Sequence, residues 1–215
     1  MKITLGPLVS RASGRFGGTV ASSWKGIDLV RKFRKPANPK TVAQTEVRNI
    51  FINLTRVFSL MGTRLKDAWD SQATGKAYIG RNNFIGKNVP DLQGQANLAN
   101  LVATPGDAST IPPVSMTVTA GAGTLTVAVT TPTAPTGWTL TRVVAVALKD
   151  LDYGTVQAYA DLTPTEGEDA TSPYSIVLSG LTAAQAYRVA SFIHWTAPDA
   201  SLRYSAAIKG TGTPT

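Results

Sequence analysis

The clearest pattern in the chain is an apolar stripe with helical spacing in residues 41–72. Apolar side chains recur there at steps of three and four, which places them on one face of an α-helix. They are Val47, Ile50, Phe51, Leu54, Val57, Phe58, Met61, Leu65, Ala68 and Trp69. Thr41 and Gln44 have capping-box spacing, and Asn38-Pro39 offers an earlier possible start. The pattern predicts a helix about 45–50 Å long, with Gly62 as the place for a kink.

A second pattern, alternation of apolar and polar residues, occupies the chain from about residue 114 onward. It predicts strands at 125–129, 140–148, 175–178, 187–195 and 201–208. Turn residues separate them at 132–137, 150–154, 164–173 and 197–200, which is the spacing of a β-sandwich.

The segment before the stripe has neither period for long. Residues 19–24 and 27–33 are strand-prone runs on either side of Lys25-Gly26, which predicts a hairpin. Glycine and positive charge are too frequent here for a core, so residues 1–40 are predicted to be a basic extended arm. After the stripe, residues 74–88 predict a loop with a short helix that packs Tyr78, Phe84 and Ile85 on the main helix.

Together these patterns predict a multi-domain α+β chain. Its parts are a basic arm with a hairpin at 1–40, a helical anchoring region at 41–90, a linker at 91–113 and a β-sandwich at 114–215. The sandwich is expected to fold without the helices, whose apolar stripe would then need a partner from another chain.

The net charge also differs between the first and second halves of the chain. Residues 1–100 hold 16 Lys and Arg against 5 Asp and Glu, whereas residues 101–215 hold 5 against 8. A basic first half is suited to an acidic partner, and this favours binding over catalysis.

Two groups of residues are the candidate partner-binding sites. The first is the basic cluster Arg31, Lys32, Phe33, Arg34 and Lys35 together with Trp24. The second is part of the helical stripe, namely Phe51, Leu54, Phe58, Leu65 and Trp69. The basic cluster could bind an acidic protein surface, or it could bind nucleic acid through phosphates and stacking. We expect a protein partner, with Trp24 and Phe33 as anchors.

Catalytic and metal chemistry find little support. The chain has no Cys and a single His, His194, which is expected to be an exposed strand residue. Glu166-Gly-Glu168-Asp169 is predicted to be a solvated turn because it lacks the pattern of a Ca²⁺ loop. Ser13–Gly18 lacks the Lys-Ser/Thr of a phosphate-binding loop. We therefore expect no enzyme activity, no cofactor and no metal. The absence of a long apolar run or a secretion signal favours synthesis and assembly in a cytoplasm.

The second half resembles fibronectin type III domains. Gly180-Leu181 followed by Tyr187-Arg-Val189 is similar to the corner between that family's fifth and sixth strands, and 125–132 is similar to its second strand. Val129 departs from the family, which usually has Trp there. The resemblance implies an immunoglobulin-like sandwich in which the Tyr187 hydroxyl bonds to backbone a few residues upstream.

The first ninety residues resemble small phage virion proteins. The shared features are Gly17-Gly18, Trp24-Lys-Gly26, Gln44 followed by Arg48, Leu65 followed by Trp69, and Asn83-Phe84 followed by Asn88. The resemblance implies a virion structural protein, most simply a head decoration or accessory protein, that binds capsid or tail subunits and copies of itself. A tail- or fibre-associated adhesion protein and a nucleic-acid-binding protein are the alternatives.

Overall fold

The computed structural model describes residues 13–24, 27–35, 37–155 and 158–215. Contacts divide the chain into two units, Met1–Lys40 and Thr41–Thr215. The described residues form three α-helices, one short 3₁₀ helix at Tyr159–Leu162 and eleven strands. The helices are α1 (Val42–Leu60), α2 (Thr63–Ala73) and α3 (Gly80–Leu92). The strands are β1 (Gly14–Phe16), β2 (Thr19–Trp24), β3 (Ile27–Lys32), β4 (Ser115–Gly121), β5 (Thr124–Thr130), β6 (Thr139–Lys149), β7 (Thr165–Asp169), β8 (Tyr174–Ser179), β9 (Tyr187–Thr196), β10 (Leu202–Tyr204) and β11 (Ile208–Gly212).

The predicted long helix is two helices, because the helical conformation is interrupted between Leu60 and Thr63. At its start, the Thr41 hydroxyl accepts the Gln44 N–H over 3.3 Å, as the capping-box spacing predicts. At the break, the Met61 N–H still donates to Val57 O, while Gly62 has extended backbone and becomes the N-cap of α2. Gly62 therefore ends one helix and begins the next rather than kinking a single one.

The C-terminal half is a sandwich of two antiparallel sheets, which confirms the predicted β-sandwich. One sheet has the strand order β4-β5-β8. The other has the order β10-β9-β6-β7, with β11 also paired to β9. The corner tyrosine is in place, since the Thr182 N–H donates to the Tyr187 hydroxyl over 2.9 Å.

The larger sheet is buried on both faces. Val143, Ala145 and Ala147 point into the sandwich core, whereas Val144, Val146 and Leu148 belong to a second core that also contains helical residues. The unbroken apolar run from Val143 to Leu148 is typical of a strand covered on both sides. The layers are therefore helices, large sheet and small sheet.

The segment predicted to be a linker lies in this second core. Leu98, Leu101 and Ala103 are buried there together with Leu92 at the end of α3. Residues 41–215 accordingly form one unit, in which the helices, residues 91–113 and the sandwich share their packing. We correct the expected linker on this ground.

The short helix after the stripe is α3, and its apolar residues behave as predicted with one exception. Phe84 and Ile85 are buried, and the Phe84 ring packs edge-on to Trp69 with 5.3 Å between centroids. Tyr78 instead stays 43% exposed in the turn before α3.

In the N-terminal unit, β1, β2 and β3 form a three-stranded antiparallel sheet. Strands β2 and β3 pair from Thr19–Lys32 to Trp24–Ile27, and their predicted turn, Lys25-Gly26, lies outside the described residues. Strand β1 adds to this pair through a turn at Gly17-Gly18, where Gly17 has a φ of 53°.

Candidate binding surfaces

The N-terminal sheet brings its cations to one place. Arg15, Val20 and Arg31 lie side by side across β1, β2 and β3, so their side chains share a face. The Arg15 guanidinium lies over the Phe33 ring, 4.1 Å from its centroid, which is a cation–π contact. Phe33 nevertheless keeps 39% of its surface exposed.

A concavity of about 540 Å³ lies beside this contact, lined by Val20, Arg31, Lys32, Phe33 and Arg34. All three cations of its lining are exposed. The surface thus combines several exposed positive charges with one aromatic ring that Arg15 covers on one face. Such a surface can bind an anionic partner that also presents an apolar or planar group.

Of the predicted residues in this cluster, Lys35 is exposed three residues after the end of β3. The backbone of Trp24 pairs with Ile27, but the Trp24 side chain lies outside what the structure describes. Arg15 was not among the predicted residues. The signal that could have found it is Gly17-Gly18, a two-residue turn sequence that predicts a further strand containing Arg15.

The helical stripe is not the free surface that the sequence suggested. Leu54, Phe58, Leu65 and Trp69 are buried in the core shared with the large sheet. A residue already packed inside its own chain has no surface left for a neighbouring subunit, so we correct these four assignments. Phe51 is the exception, with 52% of its surface exposed.

Side-chain hydrogen bonds fix the helices to the loop after β6 and to the segment before β4. Buried Asn53 donates from Nδ2 to Tyr153 O over 3.1 Å and to Thr155 O over 3.0 Å. Trp69 Nε1 donates to Ala103 O over 2.8 Å. A polar residue inside an apolar stripe is a signal for such a contact, because a buried amide must be hydrogen-bonded.

A second basic surface lies on the helical layer, where several cations surround exposed apolar residues. Ile79 is 56% exposed beside a concavity of about 520 Å³ whose lining includes three cations, Arg56, Lys66 and Arg81, and one acid, Asp70. Ile52, one turn before Arg56 on α1, is 46% exposed. Sequence periodicity gave no sign of this surface, because its residues come from α1, α2, the turn before α3 and the first turn of α3.

The predicted acidic turn is strand β7. Glu168 pairs with Arg142 over 2.6 Å and with Arg64 over 3.2 Å, and so connects β6, β7 and α2. Glu166 Oε1 accepts the Gly62 N–H over 2.7 Å, and burial raises the pKa of this carboxyl above its usual value. These carboxylates are engaged in structural contacts. Among the described residues, no group of three His, Cys, Asp or Glu side chains could hold a metal ion.

His194 is buried rather than exposed. Strand alternation correctly places His194 on the face of β9 that Tyr187 does not share. The helices cover that face, however, and only 2% of the residue is exposed. Its ring stacks on Tyr204 with 4.6 Å between centroids. Burial, assisted by Arg142 and Arg64, lowers the pKa of His194 to about 4. Neutral at pH 7 and closed to solvent, this ring is a packing group.

No helix in the described part of the chain is long and apolar enough to cross a membrane.

Comparisons with known proteins cover about half of the chain. No family model matches the chain, and no curated protein matches it. Three solved structures align with about half of it. A redesigned β-sandwich protein is 17% identical and covers 49% of this chain and 90% of its own, with a TM-score of 0.34. A myokine is 17% identical over 50% of this chain and 100% of its own, with a TM-score of 0.36. The fn3 domain of human collagen alpha-1(XX) is 16% identical over 51% of this chain and 90% of its own, with a TM-score of 0.36. The sandwich in this chain is defined by its own strand pairing.

Proposed function

We propose that this protein is a non-enzymatic structural protein of a phage virion, a head decoration or accessory protein whose N-terminal unit binds an acidic surface of a neighbouring subunit. The observation that carries the proposal is the exposed group Arg31, Lys32 and Arg34 around Phe33. A small sheet with so little apolar area of its own gains stability by lying on a partner. The sequence resemblance to small phage virion proteins is the reason for proposing a virion as the particle to which the protein binds.

The division of the chain supports this arrangement. The body, residues 41–215, satisfies its helical stripe internally. The N-terminal unit is therefore the part that binds the neighbouring subunit. The basic surface around Ile79 is a second surface that could contact an acidic partner. Ordering an arm at assembly costs conformational entropy, which the buried interface must offset.

Several carboxylates of the body are engaged in ion pairs. Four acids, Glu168, Asp161, Asp150 and Asp107, are paired with Arg or Lys side chains, at 2.6–3.2 Å for the closest pair of atoms in each case. Carboxylates used in this way are unsuited to proton transfer. This supports a binding role over a catalytic one.

The test is incorporation into particles. Virions from the source culture would be purified on a density gradient, and the protein would be quantified against the major capsid subunit. Replacing Arg31, Lys32 and Arg34 together by Gln should remove most of the protein from the particles. The matched control replaces three exposed cations of the body, Arg48, Lys76 and Lys87, and should leave incorporation unchanged. Equal incorporation of both variants, or absence of the wild-type protein from particles, would contradict the proposal.

A second candidate function, nucleic-acid binding, is favoured by one observation, the half-exposed Phe33 ring among cations. Bases stack on such rings, and cations contact phosphates. If three cations bind phosphates of single-stranded DNA, log affinity should fall by about 2 per tenfold rise in salt. We expect weak binding that vanishes at physiological salt. Tight binding that persists there would favour this candidate over the virion protein.

A further inference from the structure

A cavity of about 140 Å³ lies within the body, between the outer face of the large sheet and the segment 98–103. Strands β6, β9 and β11 form its floor, and the segment covers them. It is separate from the basic surfaces described above. Its size matches the roughly 150 Å³ of an engineered apolar cavity that binds benzene in another protein.

The walls of this cavity are aliphatic. They are formed by Leu98, Leu101, Ala103, Val146, Leu148 and Ala190, all of them buried. Such walls offer no hydrogen bonds to water, so an apolar group is a better occupant than solvent.

The open side has the opposite character. Lys209 and Thr211 are exposed residues of β11, and Arg188 of β9 is partly buried beside them. Lys209 Nζ donates to Ala99 O over 3.3 Å, and within the described ranges no carboxylate pairs with it. Partial burial lowers the pKa of Lys209; the negative charge of Asp91 opposes this shift, and the neighbouring Arg188 adds to it.

Arg188 is only partly satisfied. Its Nε lies 3.0 Å from Asp150 Oδ2 as an ion pair, yet this nitrogen makes no hydrogen bond of good geometry among the described residues. Two cations with donor capacity therefore stand at the mouth of an aliphatic cavity. A ligand that matches both ends has an anionic head and a short apolar tail.

We propose that this cavity binds a small monocarboxylate with an apolar tail of about six carbon atoms. The tail fills the space between Leu98, Val146 and Ala190. The carboxylate lies at the mouth, where Lys209 and Thr211 donate to it. Charge-assisted hydrogen bonds of this kind are about twice as strong as neutral ones, so the head gives the preference for an anion.

In the experiment, the methyl groups of the protein are labelled with ¹³C and observed by NMR. Sodium hexanoate, 1-hexanol and hexylammonium chloride are added in separate titrations at equal ionic strength. Hexanoate should give saturable shifts in the methyl signals of Leu98, Leu101, Val146 and Leu148. Hexanol should bind at least about tenfold more weakly, and hexylammonium should not bind. Equal affinity for hexanol or hexylammonium, or no saturable shift with hexanoate up to 20-fold excess over about 1 mM protein, would overturn the proposal.

Two substitutions locate the site. Lys209→Met keeps the aliphatic stem and should weaken hexanoate binding about tenfold while leaving hexanol binding unchanged. Lys87→Met, at an exposed position of α3, is the control and should change neither. Ala190→Leu fills the cavity and should abolish binding of both ligands, provided that its methyl spectrum stays native. Hexanoate binding that survives Lys209→Met at full affinity would contradict the assigned head group, and binding that survives Ala190→Leu in a native protein would contradict the assigned cavity.

Discussion

Glu166 of β7 caps helix α2, because its Oε1 accepts the Gly62 N–H over 2.7 Å. The helix has no side-chain cap from its own sequence, so a strand of the sandwich supplies the missing acceptor. A carboxylate at a helix N-terminus is also favoured by the helix dipole. The break between α1 and α2 is therefore held in place by the large sheet.

This contact predicts an unusual cost for Gly62→Ala. A Cβ at Gly62 would overlap the Glu166 carboxylate, which would have to rotate away and lose the bond to Gly62. We expect a loss of about 1 kcal/mol in the free energy of unfolding, measured by urea denaturation. Gly86→Ala in α3 is the control, since a Cβ there meets nothing within 4 Å. It should raise stability by about 0.5–1 kcal/mol. A stabilised Gly62→Ala protein would contradict the described contact.

The shared core predicts that the helices and the sandwich unfold together. Leu54→Ala should cost about 2–5 kcal/mol, because Leu54 is fully buried. Phe51→Ala on the same helix should cost under about 0.5 kcal/mol, because Phe51 is half exposed.

Unfolding of the Leu54→Ala protein should be followed by helical circular dichroism and by the fluorescence of Trp195, in a background in which Trp24, Trp69 and Trp138 are each replaced by Phe. Trp195 lies in the sandwich core. The two signals should share one midpoint. Separate midpoints, with the sandwich unaffected, would restore the independent domains that the sequence suggested.

The tyrosine corner gives a matched pair of substitutions. Tyr187→Phe removes the hydroxyl that accepts the Thr182 N–H and should cost about 1–2 kcal/mol. Tyr153→Phe removes a buried hydroxyl that has no hydrogen-bond partner within the described residues, so it should be neutral or stabilising. Chemical denaturation of both variants measures the contrast. Equal effects would mean that the corner bond adds nothing.

His194 predicts a loss of stability in acid. Its pKa is about 4 in the folded chain and about 6.5 when unfolded. As the pH falls from 6.5 to 4, the unfolded state therefore takes up a proton that the folded state refuses. The contribution approaches about 3 kcal/mol at pH 4. Glu166 acts in the opposite direction, because its raised pKa favours the folded state in acid.

Comparing the wild type with His194→Phe isolates this effect, since every other group cancels in the difference. The phenyl ring preserves the stacking on Tyr204. The stability difference between the two proteins should change steadily between pH 6.5 and 4.5 in favour of the variant. A difference that stays constant over this range would show that His194 titrates normally.

Trypsin should cut the free protein first after Arg31, Lys32 or Arg34. These residues are exposed in a three-stranded sheet that no second layer covers among the described residues of its unit, so local opening there costs little free energy. Mass spectrometry of early time points identifies the cut. Replacing the three residues by Gln should move the first cleavage elsewhere and slow it. First cleavage inside residues 139–196 would contradict the assigned order of stability.

Local structure was predictable from the sequence where it depends on residues close together in the chain. The Thr41–Gln44 cap, the strands of the sandwich and the Tyr187 corner all follow from spacing within a few residues. What covers the helical stripe was not predictable in this way. Periodicity shows which face of a helix is buried, but not whether its partner is another chain or the same one.

Two signals for the true partner were nevertheless present. The run from Val143 to Leu148 lacks polar residues on either face, which indicates a strand covered on both sides. Asn53 interrupts the stripe and needs a buried partner, which Tyr153 O provides. His194 was misjudged for the same reason, because strand alternation gives its face but not the helical layer that covers that face.

The burial of the large sheet on both faces has a consequence during synthesis. The helices leave the ribosome first, since α3 ends at Leu92, whereas β9, the central strand that contributes Phe192 to their shared core, ends only at Thr196. At about 5–20 residues per second, the apolar face of the helices waits roughly 5–20 s for its cover. During that interval Leu54, Phe58 and Trp69 of the nascent chain lack the sheet that covers them in the folded protein. Chaperone demand should therefore be highest before β9 is translated.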